Sequence, residues 1–178
     1  MSAPDSASHP LFAVMGVSGS GKTTVGAALA QRLRVPFADA DDFHSQANIA
    51  KMSAGIPLGD ADRWPWLREI GRWLAEHVTS GAVIGCSALK REYRDVLRTS
   101  APDLVFVHLA GSQEAVARRV AGRPGHFMPT SLVESQFRIL QPLAADEAGI
   151  TLDFERTVDE LVDGVVNGLM HTEHTRDA

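Results

Sequence analysis

The residues Gly16-Val-Ser-Gly-Ser-Gly-Lys-Thr23 carry the most explicit chemistry in the chain. They fit the pattern G-x-x-x-x-G-K-T, in which glycines let successive backbone N–H groups turn inward while a lysine and a hydroxyl follow at fixed spacing. An apolar run, Leu11 to Met15, precedes the loop, and Thr24 to Leu33 follows it with apolar residues at Val25, Leu29 and Leu33. Strand, glycine loop and helix in that order make a phosphate cradle, because the helix N-terminus adds partial positive charge to the inward-facing amides. Gly16, Ser18, Gly19, Ser20, Gly21 and Thr24 are assigned to this cradle. Lys22 is placed to reach the β- and γ-phosphates and the Thr23 hydroxyl to ligate Mg²⁺. The pattern predicts binding of a nucleoside triphosphate.

Phosphate binding does not by itself separate kinases from switch GTPases, motors or passive nucleotide binders. The chain has two asparagines, Asn48 and Asn167, and neither precedes a lysine, so the Asn-Lys-x-Asp signature of guanine recognition is missing. A small kinase needs a group to orient and deprotonate an acceptor hydroxyl, and cations around the transferred phosphoryl. Asp39 and Asp41 stand two apart at the end of an expected strand, so both can point to one side of an extended chain. Asp39 is assigned to the metal with Thr23, and Asp41 to the acceptor proton; an acidic turn capping the next helix, with Asp42 as the cap, is the plainer alternative. Arg118, Arg119 and Arg123 lead into a Pro-Gly segment, as a mobile lid carrying arginine onto phosphate would. Arg118 reads more simply as a solvated helix face, and Arg119 as a group placed to stack on the nucleotide base.

Alternating strands and helices must position these groups. Strands are expected at Leu11–Met15, Val35–Asp39, Ala82–Cys86, Leu104–Leu109 and Gly149–Asp153. Helices are expected from Thr24, over Asp42–Ala54, from Asp60 to about Ser80 with Pro65 in the first turn, and over Lys90–Arg98. Further helices run from a Ser112 cap to about Val120, from Thr130 or Ser131 to about Leu140, and along the Val158 to Leu169 stripe. This order implies an α/β fold with a mostly parallel five-stranded sheet covered by helices on both faces, and ligands at the strand C-terminal ends. The expected organisation is a flexible tail over 1–10, one P-loop kinase domain over 11–170 with a lid at about 122–135, and a second tail over 171–178.

Composition narrows the class. The 178 residues suffice for one domain. No window approaches the roughly 18 uninterrupted apolar residues of a membrane span. A net charge of −5 argues against broad nucleic-acid binding. The single cysteine, Cys86, excludes an internal disulfide and suits a reducing cytoplasm; it reads as inert core.

A series of short stretches then resembles one family. Asp39-Ala-Asp-Asp-Phe-His44, Asn48-Ile-Ala-Lys-Met52, Gly55-Ile-Pro-Leu58, Asp60-Ala-Asp-Arg63, Cys86-Ser-Ala-Leu-Lys-Arg91 with Tyr93-Arg94, Gly125-His-Phe-Met-Pro129 and Ser135-Gln-Phe137 are similar, in order, to the gluconate kinases (gluconokinases), relatives of shikimate kinase. Ala40, Ser45 and Gln141 depart from the family's usual Gly, Pro and Glu. The resemblance implies transfer of the ATP γ-phosphoryl, with Mg²⁺, to the 6-hydroxyl of D-gluconate, and it allows a homodimer. Phosphorylation of another small hydroxylated acid or of a nucleotide, and a non-catalytic nucleotide-binding module, are the competing readings. A linear polyol acid needs a cation and several hydrogen-bonding groups. Arg63 fits the carboxylate as a bidentate fork, or else pairs on the surface with Asp60 or Asp62. Lys90, His44 and Ser87 are placed to reach the same cleft, and His126 and Gln136 to close on it from the lid; His126 rests on the resemblance. Lys22 and Arg123 are assigned to the phosphoryl oxygens, and the tryptophans and Phe137 to packing.

Overall fold

Short apolar runs separated by amphipathic helices leave a sheet apolar on both faces, and the computed structural model, which describes residues 9–122 and 130–173, has that form. The strands β1 (Leu11–Met15), β2 (Phe37–Asp39), β3 (Ala82–Gly85), β4 (Val105–Ala110) and β5 (Gly149–Asp153) are all parallel, in the order β2-β3-β1-β4-β5. Between them run α1 (Lys22–Leu33), α2 (Gln46–Ser53), α3 (Asp60–Glu76), α4 (Arg91–Ser100), α5 (Gln113–Ala121), α6 (Thr130–Ile139) and α7 (Val158–Glu173). Successive side chains of a strand face opposite ways, so β1 feeds two cores at once. Leu11, Ala13 and Met15 pack with Leu67, Ile70 and Leu97 of α3 and α4. Phe12 and Val14 pack with Leu29, Val116 and Leu161 of α1, α5 and α7. The C-terminal ends of β1, β2 and β3 therefore open on one edge of the sheet, where the chain's polar loops gather.

Several boundaries differ from expectation for local reasons. The segment Asp42–Ala54 is not one helix: Ala40–Phe43 forms a 3₁₀ turn, and α2 starts after it. Asp42 caps nothing there; Ser45 is the α2 cap, accepting from Asn48 N, so the serine at this family-variant position is a good helix start. Pro65 falls in the second turn of α3, where its missing N–H removes one helical hydrogen bond. The helix ends at Glu76, and Val78, expected on its buried stripe, is 45% exposed. At the other end of the chain α7 continues through Glu173, past the start of the expected tail at 171. The lid segment 123–129, with Arg123 and His126, lies outside the described residues, and 130–135 belong to α6.

The charged α4 sequence conceals a buried anchor. Arg94 is fully buried, and its Nε and Nη2 grip the two oxygens of Glu147 at 2.7 and 2.9 Å. Its Nη1 donates to the carbonyls of Ala88 (2.9 Å) and Gln141 (3.1 Å). Glu147 also accepts from Arg98 Nη2 (2.8 Å) and Ala144 N (2.8 Å). Gln141, another of the three variant positions, has a structural part, accepting from Arg91 N through its side chain at 2.8 Å. Burial alone would raise the Glu147 carboxyl pKa, but Arg94, the Ala144 amide and Arg98 together hold it down to about 2. Because the folded value lies below the unfolded one, the associated stability is complete at neutral pH and is lost as pH falls through about 5 toward 2. Glu147→Gln should lower stability at pH 7 by about 3–5 kcal/mol by leaving Arg94 uncompensated. Denaturant unfolding at pH 7 and pH 3 should show the gap to wild type narrowing at the lower pH.

Candidate active site

The phosphate cradle is formed by backbone, as its glycines require. Gly16 has φ 149°, and a Cβ there would lie 2.8 Å from Ser20 Oγ and 2.9 Å from Leu109 O. Gly21 caps α1 at φ 96° with no side-chain cap, and the first turn of α1 carries no acidic residue. The N-terminal amides of α1 are thus left unblocked by side chains, the arrangement that suits an anion. Ser18, Gly19, Gly21, Lys22, Thr23 and Thr24 line a cleft of about 400 Å³. Ser20 faces the other way: its hydroxyl is buried beneath the loop, beside Gly16, with no hydrogen-bond partner among the described residues. Lys22 Nζ donates to Val17 O at 3.0 Å, folded back along the loop. Burial lowers its pKa, against the opposing pull of Asp41.

The two aspartates meet the cradle through a turn. Thr23 Oγ1 donates to Asp39 Oδ2 at 2.7 Å, while Asp39 Oδ1 accepts from Asp41 N at 3.0 Å. Asp39 therefore caps the 3₁₀ turn and fixes the hydroxyl at the start of α1. The strand stops at Asp39, so Asp41 reaches the cleft by the turn and not by strand alternation. Ala40 is buried within that turn, and its carbonyl accepts from Trp66 Nε1 at 2.7 Å. The Asp41 side chain is 83% accessible, yet it projects into a concavity whose walls strip water from it. That desolvation first, and the Asp39 charge second, raise its carboxyl pKa, against the attraction of Lys22. His44 stacks on Trp66 at 4.3 Å, with its side chain only 4% exposed. Its Nδ1 lies 3.2 Å from Asn48 Nδ2, an obligate donor, so the proton of the neutral ring sits on Nε2, 3.9 Å from Asp41. Burial lowers the pKa of this imidazole and keeps it neutral.

The opposite wall comes from α3 and the loop after β3. Arg63 and Ser87 line the cleft. The surface pairing of Arg63 with Asp60 or Asp62 does not form; Nη1 donates instead to Tyr93 Oη at 3.0 Å. Lys90 is absent from the cleft lining and pairs with Asp60 at 3.2 Å. Gln136 lines the cleft but spends its amide on the cradle: Oε1 accepts from Ser18 N at 2.7 Å and Nε2 donates to Ser18 Oγ at 3.0 Å. Arg119 likewise binds protein, donating to Ser20 O at 3.1 Å and Phe154 O at 2.6 Å while lying 4.6 Å from the Phe154 ring centroid. It thereby ties the cradle at Ser20 to the segment after β5. Arg118 pairs with Glu155 on the surface. Trp66 and Asn48, which fix His44, are given no site role by the sequence reading: Trp66 is assigned to packing, and Asn48 enters only within a stretch that carries the family resemblance. Cys86 is buried, and burial pushes its thiol up to about 12, so it is inert. Thr23 and Asp39 are hard oxygen donors close enough to share one cation. Among the described residues no group of three or more His, Cys, Asp or Glu converges, so such a cation would draw its remaining ligands from phosphate and water.

Known proteins share this sequence and fold over most of the chain. The shikimate kinase family model matches residues 18–147. A gluconokinase of Gluconobacter oxydans is 46% identical over 155 residues, covering 86% of this chain and 87% of that protein. A thermosensitive gluconokinase of Escherichia coli is 46% identical over 142 residues, covering 78% and 75% respectively. The crystal structure of a gluconokinase from Sinorhizobium meliloti superimposes with a TM-score of 0.86 at 45% identity, covering 93% of this chain and 94% of that one. The raised Asp41 carboxyl has a measurable consequence: its folded pKa exceeds its unfolded one, so stability is higher below about pH 4 and diminishes as pH rises through the folded value. Asp41→Asn removes that penalty. The variant should melt above wild type at pH 7, and the difference should vanish toward pH 3 in paired thermal scans.

Proposed function

Because the chain belongs to the gluconokinase family, we propose that it transfers the γ-phosphoryl group of ATP to the 6-hydroxyl of D-gluconate, releasing ADP and 6-phospho-D-gluconate. The observation that carries this reading is one cleft lined by the phosphate cradle, by Asp41 and by Arg63, whose guanidinium has no carboxylate within ion-pair distance among the described residues. A polyol acid gripped at its carboxylate by Arg63 would extend its far hydroxyl toward the γ-phosphate. His44 Nε2–H and Ser87 are placed to bond the intervening hydroxyls. Asp41 accepts the proton of the attacking hydroxyl as the new O–P bond forms and the bond to ADP breaks; its raised pKa makes it a stronger base for that step. Lys22 exchanges Val17 O for phosphoryl oxygens on nucleotide entry. Thr23 and Asp39 would hold Mg²⁺, which neutralises charge on the β- and γ-phosphates when bound. Arg123 is assigned to the phosphoryl oxygens on its place before a Pro-Gly segment, and His126 to the polyol mainly on the resemblance. The single buried thiol and the small-molecule substrates suit a cytoplasmic enzyme, and the homodimer the resemblance allows is a further expectation.

A panel of acceptors with coupled ADP detection tests the assignment directly. Gluconate should stimulate ADP release far above shikimate, nucleoside monophosphates and no acceptor; equal rates across the panel would sink it. Asp41→Asn should keep ATP affinity and lose on the order of 10² to 10⁴ in turnover, and near wild-type turnover would remove Asp41 from the base role. Arg63→Ala should raise the gluconate KM far more than the ATP KM, whereas equal rises would assign Arg63 to phosphate or to the fold.

A further inference from the structure

Arg63 lies close to two carboxylates in α3, yet among the described residues neither comes within ion-pair distance of its guanidinium. Asp62 is drawn away by Lys51 at 2.9 Å. Asp60 is drawn away by Lys90 at 3.2 Å, and Lys90 also approaches Glu92 at 3.7 Å. What holds Arg63 is a neutral group, the Tyr93 hydroxyl at 3.0 Å, with the guanidinium carbon 5.3 Å from the centroid of the same ring. Tyr93 is only 1% exposed and is fixed edge-to-face against Trp64 at 5.5 Å. A phenol has one hydrogen to give. Tyr93 gives it to Asp60, so the oxygen lone pair is left facing Arg63 Nη1. Donation thus runs from Arg63 to Tyr93 to Asp60, and Lys90, at the start of α4, donates to the same carboxylate from the other side.

We infer that Tyr93, oriented by Asp60 and Lys90, is a positioning residue that aims Arg63 at the acceptor's carboxylate without cancelling its charge. A carboxylate in the place of the hydroxyl would hold the arginine as firmly and quench it. A bare ring would leave it to sample solvent or to swing onto Asp60. Lys90, expected to bind the acid itself, serves here by occupying Asp60. The inference rests on the gluconate reading, because it presumes a carboxylate at the Arg63 end of the cleft.

Tyr93→Phe keeps the ring packing and removes only the hydroxyl. Its gluconate KM should rise about tenfold or more, the scale of one hydrogen bond to a charged group, with the ATP KM and kcat within about twofold of wild type. Its preference for gluconate over glucitol, the neutral polyol, should fall by a similar factor. Lys90→Ala releases Asp60 onto Arg63 and should raise the gluconate KM likewise. Adding Asp60→Asn to Lys90→Ala should bring it back toward wild type, since an amide oxygen still accepts from Tyr93 but carries no charge. A merely structural Tyr93 would lower stability without splitting the two KM values and without that rescue. An active wild type with an unchanged gluconate KM in Tyr93→Phe, or with equal rises in both KM values, overturns the positioning role alone. A wild type inert with gluconate overturns the proposed function and this role with it.

Discussion

The buried pair of Arg94 and Glu147 is the constraint on which the acceptor side of the molecule depends. An arginine withdrawn from water is tolerated only when its donors are satisfied and its charge is met. Here one guanidinium answers to the carboxylate and to the carbonyls of two loops, the one after β3 and the one after α6. The first of these loops carries Ser87 into the cleft and holds Ala88 at φ 42°, a conformation that costs a non-glycine residue about 1 kcal/mol or more. Its carbonyl bond to Arg94 is what makes that strain persistent. Ser87 O in turn accepts from Gly16 N at 3.3 Å, so the same anchor reaches the first glycine of the phosphate cradle.

The protein is acidic overall, yet its cleft must attract two anions. It manages this by pairing most cations directly with carboxylates and holding two at the cleft outside any such ion pair among the described residues. Lys51, Lys90, Arg91, Arg98 and Arg118 each meet a carboxylate. Lys22 and Arg63 are instead held by a carbonyl and a phenol, groups that fix direction without neutralising charge. Asp39 and Asp41 divide in the same manner. Asp39 is fastened through both oxygens to Thr23 and to the turn, whereas Asp41 is left facing the cleft with a raised proton affinity. Two carboxylates two residues apart thereby acquire different environments, one fastened and one open to the cleft, the difference that the proposed ligand and base roles require.

Support for the cradle comes from elements far away in sequence. Gln136 of α6 binds both the amide and the hydroxyl of Ser18, and Arg119 of α5 ties Ser20 O to Phe154 after β5. Both residues are polar and cleft-adjacent, which is why spacing alone marks them as ligand contacts. Their hydrogen-bonding capacity is instead used inside the protein, where it sets the shape of the loop.

The sequence by itself determined the phosphate cradle, the five strands and both core faces. These follow from short-range rules: glycine spacing and alternation of apolar residues. Local rules failed where a helix and a turn compete over a few residues, as at Ala40–Ser53, and at Val78, where the stripe outlasts its helix. The choice among cations was settled only by tertiary structure. Arg63, Lys90, Arg94 and Arg119 look alike as letters. Which of them is buried, which is paired and which is left open to the cleft depends on partners at Tyr93, Asp60, Glu147 and Phe154. Those partners lie about 30 to 53 residues away along the chain. A side chain's charge belongs to its sequence position, but whether that charge is available is a property of what the fold packs against it.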